Sequence, residues 1–257
     1  MRVLIPLPDR DFDTTEVAVP WHALRRAGHE VVFATERGEV AACDPLLLSG
    51  VIFGKLGAEA EPRAFYAELE KSPEFRRPIR YDAIDPSSFA ALVLPGGHAP
   101  GMKQYLDSEI LRHSVAQFFD LGREVAAICH GVLVLARTRG TGASSGKSVI
   151  HNLRTTCLPK WMERSAYLMT AWKHGRYYRT YDAYVEDEVR AALDNPEAQF
   201  IRGPFGKSAR GTATDHAPAM IVEDGNYLSA RWPGDAYLFS RRLVERLARL
   251  APLTPGA

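Results

Sequence analysis

Two mainly apolar runs and a helical apolar pattern between them define the start of the chain. Residues 2–7 (RVLIPL) and 31–34 (VVFA) are runs of the kind that form buried strands. Between them, apolar positions over residues 17–27 recur at helical spacing, and Thr14 or Thr15 is placed to cap the start of that helix. A strand, a helix and a second strand in this order predict a βαβ unit, and such crossover connections build parallel sheets.

The same alternation returns after residues 36–90, which glycines and prolines interrupt. Further strands are predicted at 90–95, 123–129 and 148–152, and helices at 108–121, 130–138, 159–172, 185–193 and 237–250. The Asp224-Gly225-Asn226 turn between two apolar runs predicts a hairpin. We therefore expect an α/β fold, a flavodoxin-like three-layer sandwich with a mainly parallel central sheet, as one domain over residues 1–250. Insertions are expected at about 36–90 and 157–218, and a flexible tail at 251–257.

Composition and charge describe a chain that can form its own core. It has 257 residues, 46% of them hydrophobic, with 32 Lys and Arg against 31 Asp and Glu for a net charge of +1. A nucleic-acid binder needs a basic surface that neutralises phosphates, so we expect no nucleic-acid partner. No apolar run reaches the roughly 18 residues of a membrane span. Pro6, Pro8 and Asp9 interrupt the first run, so we expect neither a signal peptide nor membrane contact. The expected location is the cytoplasm.

The cysteines indicate thiol chemistry rather than a disulfide scaffold, because an odd number leaves at least one thiol free. They are Cys43, Cys129 and Cys157. Cys129 lies in Ala127-Ile128-Cys129-His130-Gly131, between a predicted buried strand and a predicted helix. Small residues two before and two after it match the nucleophile elbow, a sharp turn in which larger side chains would clash.

This elbow predicts a reactive thiol at Cys129. The dipole and free N–H groups of a helix N-terminus stabilise a thiolate, so we expect the pKa of Cys129 to lie below its ordinary value of about 8.5. The alternative is that Cys129 is a small buried hydrophobe with a structural role. His130 offers a backbone N–H as an oxyanion donor and a ring as a general base, although adjacent side chains at a turn need not meet.

Two other loops supply candidate site residues. Gly96 and Gly97 follow a buried strand and let backbone amides approach a ligand, so the Gly97 N–H is the second candidate oxyanion donor; a simple tight turn is the alternative. Gly96 and His98 are candidate pocket residues. Glu16 follows the first strand, and because the carboxyl ends of parallel strands meet at one edge, it can converge with Cys129. A carboxylate beside a thiolate raises the pKa values of both groups, so we expect a protonated Glu16 that donates a hydrogen bond to the sulfur. The alternative is that Glu16 is a charged residue at the helix N-terminus, where it interacts favourably with the helix dipole.

The remaining motifs are weaker. Residues 141–148 end like a phosphate-binding P-loop, but Thr141 stands where the first glycine is needed, so we expect a surface loop. The eight histidines show no metal-binding spacing, although folding could bring His98 and His130 to Cys129. We expect no metal and no cofactor. An aromatic cluster could line a pocket or pack against an insertion; its members are Trp172, Tyr177, Tyr178, Tyr181 and Tyr184.

Together these residues resemble the ThiJ/PfpI superfamily, which has the class I glutamine-amidotransferase-like α/β fold. The matching segments are E-V-A-V-P-W-H-A-L-R-R-A-G-H-E-V from Glu16, L-V-L-P-G-G-H-A-P-G-M at 92–102, A-I-C-H-G at 127–131 and D-G-N-Y-L-S-A-R-W-P-G-D-A at 224–236. The resemblance implies a hydrogen bond between Glu16 and Cys129, a Cys129–His130 pair with a further acidic residue, and a homodimer. Three candidates for that acidic residue are Asp107, Asp182 and Asp215. The segment ending at His98 is similar to the heat-shock glyoxalase and holding-chaperone branch.

The expected function is that of a cofactor-independent enzyme in which Cys129 attacks a small reactive carbonyl compound. In the glyoxalase-like version, a 2-oxoaldehyde becomes a 2-hydroxy acid through a hemithioacetal. The first alternative is a stress-responsive holding chaperone or oxidation sensor, in which Cys129 becomes a sulfinate beside a protonated Glu16 without turnover. The second alternative is a peptidase or amidase. The expected partners are a small electrophilic substrate and a second copy of the chain.

Overall fold

A computed structural model describes residues 1–141, 145–206 and 208–250. The strands are β1 (Arg2–Pro6), β2 (Arg10–Phe12), β3 (Glu30–Thr35), β4 (Ala42–Cys43), β5 (Ile79–Arg80), β6 (Ala91–Leu94), β7 (Glu124–Ile128), β8 (Ile221–Asp224) and β9 (Tyr227–Ala230). The helices are α1 (Thr14–Arg26), α2 (Pro45–Ser49), α3 (Ala60–Leu69), α4 (Pro73–Arg76), α5 (Met102–Asp107), α6 (Glu109–Asp120), α7 (Gly131–Arg137), α8 (Lys160–His174), α9 (Val185–Ala191), α10 (Pro196–Gln199) and α11 (Ala236–Leu250).

Seven strands form the central sheet, in the order β5-β3-β1-β6-β7-β9-β8. All neighbours are parallel except β8 and β9, which form the predicted antiparallel hairpin. From β1 the chain crosses to β3, toward one edge of the sheet, whereas from β6 it crosses to β7, toward the other edge. The direction of winding therefore reverses between β1 and β6. In open α/β sheets, ligands bind beyond the carboxyl ends of the strands at such a switch point.

Helices cover both faces of this sheet. Because βαβ crossovers are right-handed, the two directions of winding put α1 on one face and α6 and α7 on the other. On its face α1 packs against α3 and α11, whereas α7 packs against α5, α6 and α9. Strands β6 and β7 are buried along their whole length, as expected when both faces are covered. The predicted three-layer α/β sandwich is therefore confirmed.

Two local predictions are wrong. The cap of α1 is Asp13, not Thr14 or Thr15: its carboxylate accepts from the backbone N–H groups of Thr15 at 2.8 Å and Glu16 at 3.0 Å, and its own backbone is extended. The strand predicted at 148–152 is a set of turns. There the Ser148 hydroxyl donates to the Leu135 carbonyl and accepts from the Ile150 N–H, and such local bonds compete with a ladder.

The two predicted insertions differ in their relation to the sheet. The 36–90 segment contains β4, three short helices and β5, which pairs with β3 and extends the central sheet. The 157–218 segment contains α8, α9 and α10. The tail at 251–257 and residues 142–144 of the P-loop-like segment lie outside the described residues. Among the described helices, none has the length and apolar character that a membrane crossing requires.

Candidate active site

The predicted elbow is present at the carboxyl end of β7. Cys129 has a φ of 58°, in the left-handed region that non-glycine residues rarely adopt. Its N–H donates to the Ala230 carbonyl of β9 at 3.0 Å, which holds the strained residue against the sheet. A Cβ on Gly131 would overlap the Leu94 carbonyl oxygen of β6, so this turn requires glycine two residues after the cysteine.

Three loops meet at this elbow, one from the end of each of β1, β6 and β7. The Gly96 N–H donates to Oε2 of Glu16 at 2.7 Å. A Cβ on Gly96 would lie 2.7 Å from the His130 backbone nitrogen and 3.0 Å from Cβ of Cys129. The absence of a side chain at Gly96 therefore allows the carboxyl of Glu16 and the elbow to approach each other.

Glu16 is fully buried in this arrangement. Burial is the main cause that raises its pKa well above the ordinary range, and the charge of Asp13 raises it further. The Cys129 side chain acts in the opposite direction and lowers this pKa, as does the Gly96 N–H. In the part of the chain that the structure describes, Oε1 has no hydrogen-bond partner. The raised pKa favours the protonated carboxylic acid, which is the form that the sequence analysis expected.

The prediction of a low pKa for Cys129 is wrong. Its side chain is 1% exposed, and burial raises the pKa of the thiol well above its ordinary value, followed by the charges of Glu16 and Asp13. The His130 backbone N–H acts in the opposite direction, as a helix N-terminus should, but it does not outweigh burial. In the closed site the sulfur is a thiol, so a base must take its proton.

His130 lies where such a base is needed. Its Nδ1 is 3.5 Å from Sγ of Cys129, so the two adjacent side chains do meet. The ring is buried, and burial lowers its pKa well below the ordinary value, which leaves a neutral imidazole able to accept a proton. The His98 ring packs edge-on against it at 4.4 Å between centroids, and burial lowers the pKa of His98 to about 4.

Asp13 is a site residue that the sequence analysis missed. It is buried as the cap of α1, and burial raises its pKa to about 6. Its charge in turn raises the pKa values of Glu16 and Cys129. An aspartate before an apolar helical pattern could have been recognised as a cap from the sequence. Its burial beside the elbow could not, because this depends on how distant loops pack.

The three aspartates proposed as partners of His130 have other contacts. Asp107 accepts from Arg137 at 2.7 Å and from the Tyr181 hydroxyl at 2.8 Å. Asp182 pairs with Arg176, and Asp215 accepts from the Ala217 N–H at 2.9 Å. All three are exposed. Among the described residues, no hydrogen bond joins any of them to His130.

The role of the Gly97 amide as an oxyanion donor stays a prediction. The Gly96 N–H is already bonded to Glu16, which leaves the next amide, that of Gly97, as the candidate donor on this loop. A Cβ on Gly97 would meet the Asp11 carbonyl oxygen at 2.7 Å and Sδ of Met102 at 2.9 Å. This glycine is therefore also required where the loop packs against its neighbours.

Folding brings the side chains of His98, Cys129 and His130 together, an arrangement that the sequence analysis left open. One possible ligand atom from each lies within 4.8 Å of the other two. Zinc ligands at about 2.0–2.3 Å from the metal lie closer together than this, so the three side chains would have to move inward to hold such an ion. The expectation of no metal stays a prediction.

A cavity of about 350 Å³ adjoins the elbow. Asp13, His98 and Tyr178 form part of its wall, and a ring nitrogen of His98 lies within 4.8 Å of the Cys129 sulfur. Tyr178 has both roles considered for the aromatic cluster, because it lines this cavity and its hydroxyl donates to Asp44 at 2.8 Å. The site thus joins a strained thiol, a neutral imidazole, a neutral carboxyl and a cavity.

Residues 7–204 match the family model described as ThiJ/PfpI family-like. The chain belongs to the ThiJ/PfpI family. An uncharacterised protein of Schizosaccharomyces pombe is 30% identical over 96% of this chain and 84% of its own length. A deglycase of Pyrococcus abyssi is 26% identical over 96% of this chain and 99% of its own. The structure of glyoxalase III from Candida albicans has the same fold, with a TM-score of 0.67 and 18% identity over 95% of this chain and 96% of that one.

In this ThiJ/PfpI protein the C-terminal segment 224–236 also supports the site. Arg231 and Asp235 form a buried ion pair with 2.7 Å between Nη2 and Oδ1. Asp235 also accepts from the Arg231 and Met220 backbone N–H groups, at 3.0 and 2.9 Å. The pair follows β9, whose Ala230 carbonyl holds the elbow, so the segment secures the strand on which Cys129 rests.

Proposed function

We propose that this ThiJ/PfpI protein is a cofactor-independent enzyme that uses Cys129 as a nucleophile on a small reactive carbonyl compound. The proposed reaction is of the glyoxalase and deglycase type, in which a 2-oxoaldehyde becomes a 2-hydroxy acid. One observation carries the proposal: Sγ of Cys129, at a left-handed elbow, lies 3.5 Å from Nδ1 of a neutral His130, and the buried carboxyl of Glu16 is held at the same elbow by the Gly96 N–H. The similarity to a deglycase over nearly the whole chain supports the same chemistry.

The first step is addition of the thiol to the aldehyde carbon. His130 takes the thiol proton as Sγ attacks, and a carbon–sulfur bond forms while the carbonyl π bond opens. The oxygen that becomes negative is stabilised by the backbone N–H of His130 and, by prediction, that of Gly97. Protonation of this oxygen gives a hemithioacetal.

The second step moves the hydrogen of the former aldehyde carbon, as a proton, to the neighbouring carbon. His130 or Glu16 carries that proton, and the product is a thioester of the 2-hydroxy acid on Cys129. Water then hydrolyses the thioester, releasing the acid and the free thiol. The aldehyde carbon is oxidised as its neighbour is reduced, so the reaction balances without an external oxidant.

The test follows turnover and adduct formation together. Wild type, Cys129→Ala and Cys157→Ala are incubated with methylglyoxal at neutral pH, and aldehyde loss, lactate formation and intact-protein mass are measured. We expect catalytic lactate formation by wild type and Cys157→Ala, and none above background by Cys129→Ala. Cys157 is the matched control because it is also a buried free thiol. A persistent adduct or a sulfinate at Cys129 without lactate would refute the proposal.

Substitution of Glu16 separates hydrogen-bond donation from proton transfer. Glutamine can accept from the Gly96 N–H and donate to the sulfur, but it cannot carry a proton. With His130 as the proton carrier, we expect Glu16→Gln to retain at least about a tenth of kcat. We expect Glu16→Ala to lose on the order of 10²-fold, the lower range for a general acid–base group. Equal losses in both variants would assign the proton transfer to Glu16.

A further inference from the structure

The cavity beside the elbow is larger and more apolar than a three-carbon substrate needs. Its volume of about 350 Å³ lies at the lower end of the roughly 300–1,000 Å³ of cavities that hold drug-sized ligands. Helix α8 and the 36–90 segment supply apolar side chains to facing parts of its wall. These include Trp161, Met162, Ala166, Met169, Leu47 and Val51. A methyl group, the substituent of methylglyoxal, would leave most of this surface uncovered.

The charged groups in the wall are already engaged by the protein. The carboxyl of Asp13 accepts the two backbone N–H groups that it caps. The Arg210 guanidinium lies 5.0 Å from the centre of the Trp232 ring and 3.8 Å from a carboxylate oxygen of Glu59. Neither group depends on a ligand for a partner, so the cavity offers mainly apolar contact.

The apolar surface continues from the cavity to the outside. Leu56 and Met169 line the cavity and are 50% and 51% exposed. Next to them, Phe53 and Trp172 are 79% and 66% exposed, with 6.1 Å between ring centroids. Exposed apolar clusters of this kind mark binding surfaces. An apolar group can therefore enter here without first displacing bound charges.

The inner end of the cavity leads to the reacting atoms. His98 forms part of its wall, and one possible ligand atom from each of His98, Cys129 and His130 lies within 4.8 Å of the other two. Nε2 of His98 is buried and has no hydrogen-bond partner among the described residues. A carbonyl oxygen or hydroxyl beside His98 would supply that partner and would place the neighbouring carbon toward the sulfur.

We infer, on the premise of the proposed function, that the substrates are 2-oxoaldehydes with an aromatic or branched aliphatic substituent, which binds in this cavity against α8. The dicarbonyl end reaches Cys129 past His98, and the substituent remains among the apolar side chains. In apolar pockets, each added group of this kind raises kcat/KM by about tenfold or more.

The experiment compares kcat/KM for methylglyoxal, isobutylglyoxal and phenylglyoxal, from initial rates so that arginine modification does not contribute. We expect wild type to favour the two larger aldehydes by at least about tenfold. Ala166→Phe fills the cavity, whereas Ala171→Phe places the same side chain on α8 outside the wall. We expect Ala166→Phe to remove this preference and Ala171→Phe to retain it. Equal kcat/KM for all three aldehydes in wild type, or equal effects of the two variants, would overturn the inference.

A binding measurement separates this inference from the proposed reaction. Calorimetry with Cys129→Ala compares mandelate and lactate, the 2-hydroxy acids that correspond to phenylglyoxal and methylglyoxal. We expect mandelate to bind at least about tenfold more tightly, and Ala166→Phe in the same background to remove the difference. If no aldehyde is turned over but mandelate is preferred, the proposed function fails and the cavity assignment stands. If neither acid is preferred, the cavity assignment fails whatever the turnover.

Discussion

At the scale of single residues, the site consists of ionisable groups whose pKa values burial shifts toward the neutral form. Glu16, Asp13 and Cys129 would all be anions in their charged forms, and burial and mutual repulsion raise the pKa of each. His130 is held neutral by the same burial. The raised pKa of Cys129 and the lowered pKa of His130 both oppose a resting thiolate–imidazolium pair, so proton transfer from sulfur to imidazole has to accompany attack on the carbonyl.

A first prediction concerns Asp13 and the pH dependence of stability. Its pKa rises from 3.8 to about 6 on folding, so its contribution to stability is present below about pH 4 and is lost as pH rises through 6. The size of this loss is about 3 kcal/mol. An asparagine at this position would still cap α1 but would not ionise. We expect urea unfolding from pH 4 to 7 to show Asp13→Asn gaining stability over wild type as pH rises. A constant difference across this range would contradict the prediction.

A second prediction concerns His98 and access to the sulfur. Cys129 is 1% exposed, and a ring nitrogen of His98 lies within 4.8 Å of its sulfur. Removing that ring in His98→Ala should increase the rate at which a bulky disulfide reagent labels Cys129, by on the order of tenfold, because labelling follows thiol access. Labelling of Cys129→Ala supplies the background from Cys43 and Cys157. Met169→Ala is the control, since it enlarges the same cavity away from the elbow. Equal rates in the two variants would show that His98 does not limit access.

At the scale of elements, the elbow results from close packing between β6 and the start of α7. Gly131 faces the Leu94 carbonyl, and Gly96 faces the His130 backbone nitrogen, so both glycines are required by space. These contacts force Cys129 into its left-handed conformation. The strain is local, but the strands on either side hold it in place.

A third prediction uses two glycines with different constraints. Gly131→Ala would drive a Cβ into the Leu94 carbonyl and should cost about 3 kcal/mol of stability, the upper part of the range for overpacking, together with most of the activity. Gly122→Ala meets no atom within 4 Å but adopts a positive φ, so it should cost about 1–2 kcal/mol and leave activity intact. Urea unfolding and methylglyoxal turnover measure both effects. Equal costs, or active Gly131→Ala, would contradict the role given to this contact.

At the scale of the whole molecule, the sheet gathers distant segments at one edge. The carboxyl ends of β1, β6 and β7 bring Glu16, Gly96 and Cys129 together, and the 36–90 and 157–218 segments enclose the cavity above them. Asp235 of the buried Arg231–Asp235 pair also accepts from the Met220 N–H, which joins the segment after β9 to the chain before β8. The homodimer implied by the family resemblance stays a prediction.

A fourth prediction concerns this ion pair. Its side chains are 2% and 0% exposed, so Asp235→Ala leaves a buried guanidinium without its partner and should cost about 3–5 kcal/mol. The double variant Arg231→Met/Asp235→Leu should cost less, because no buried charge remains. Asp82→Ala breaks the exposed pair with Arg80 and should cost far less than Asp235→Ala, because solvent screens this pair. The three free energies of unfolding are compared in urea. A double variant as unstable as Asp235→Ala would show that packing, not charge, is decisive.

The sequence by itself determined most of the longer helices and central strands, the parallel sheet and the elbow at Cys129, and it allowed the approach of Glu16. These follow from periodicity, from the steric demands of a sharp turn and from the rule that parallel strands end at one edge. Only the tertiary structure decided the contact of His130 with the sulfur, the burial of Asp13, the cavity against α8 and the raised pKa of Cys129. Each of these depends on which distant side chains exclude water from a point, and local sequence does not contain that information. The pKa of Cys129 shows the difference most clearly: the helix N-terminus, which lowers it, is visible in the sequence, whereas burial, which outweighs that effect, arises only when the chain has folded.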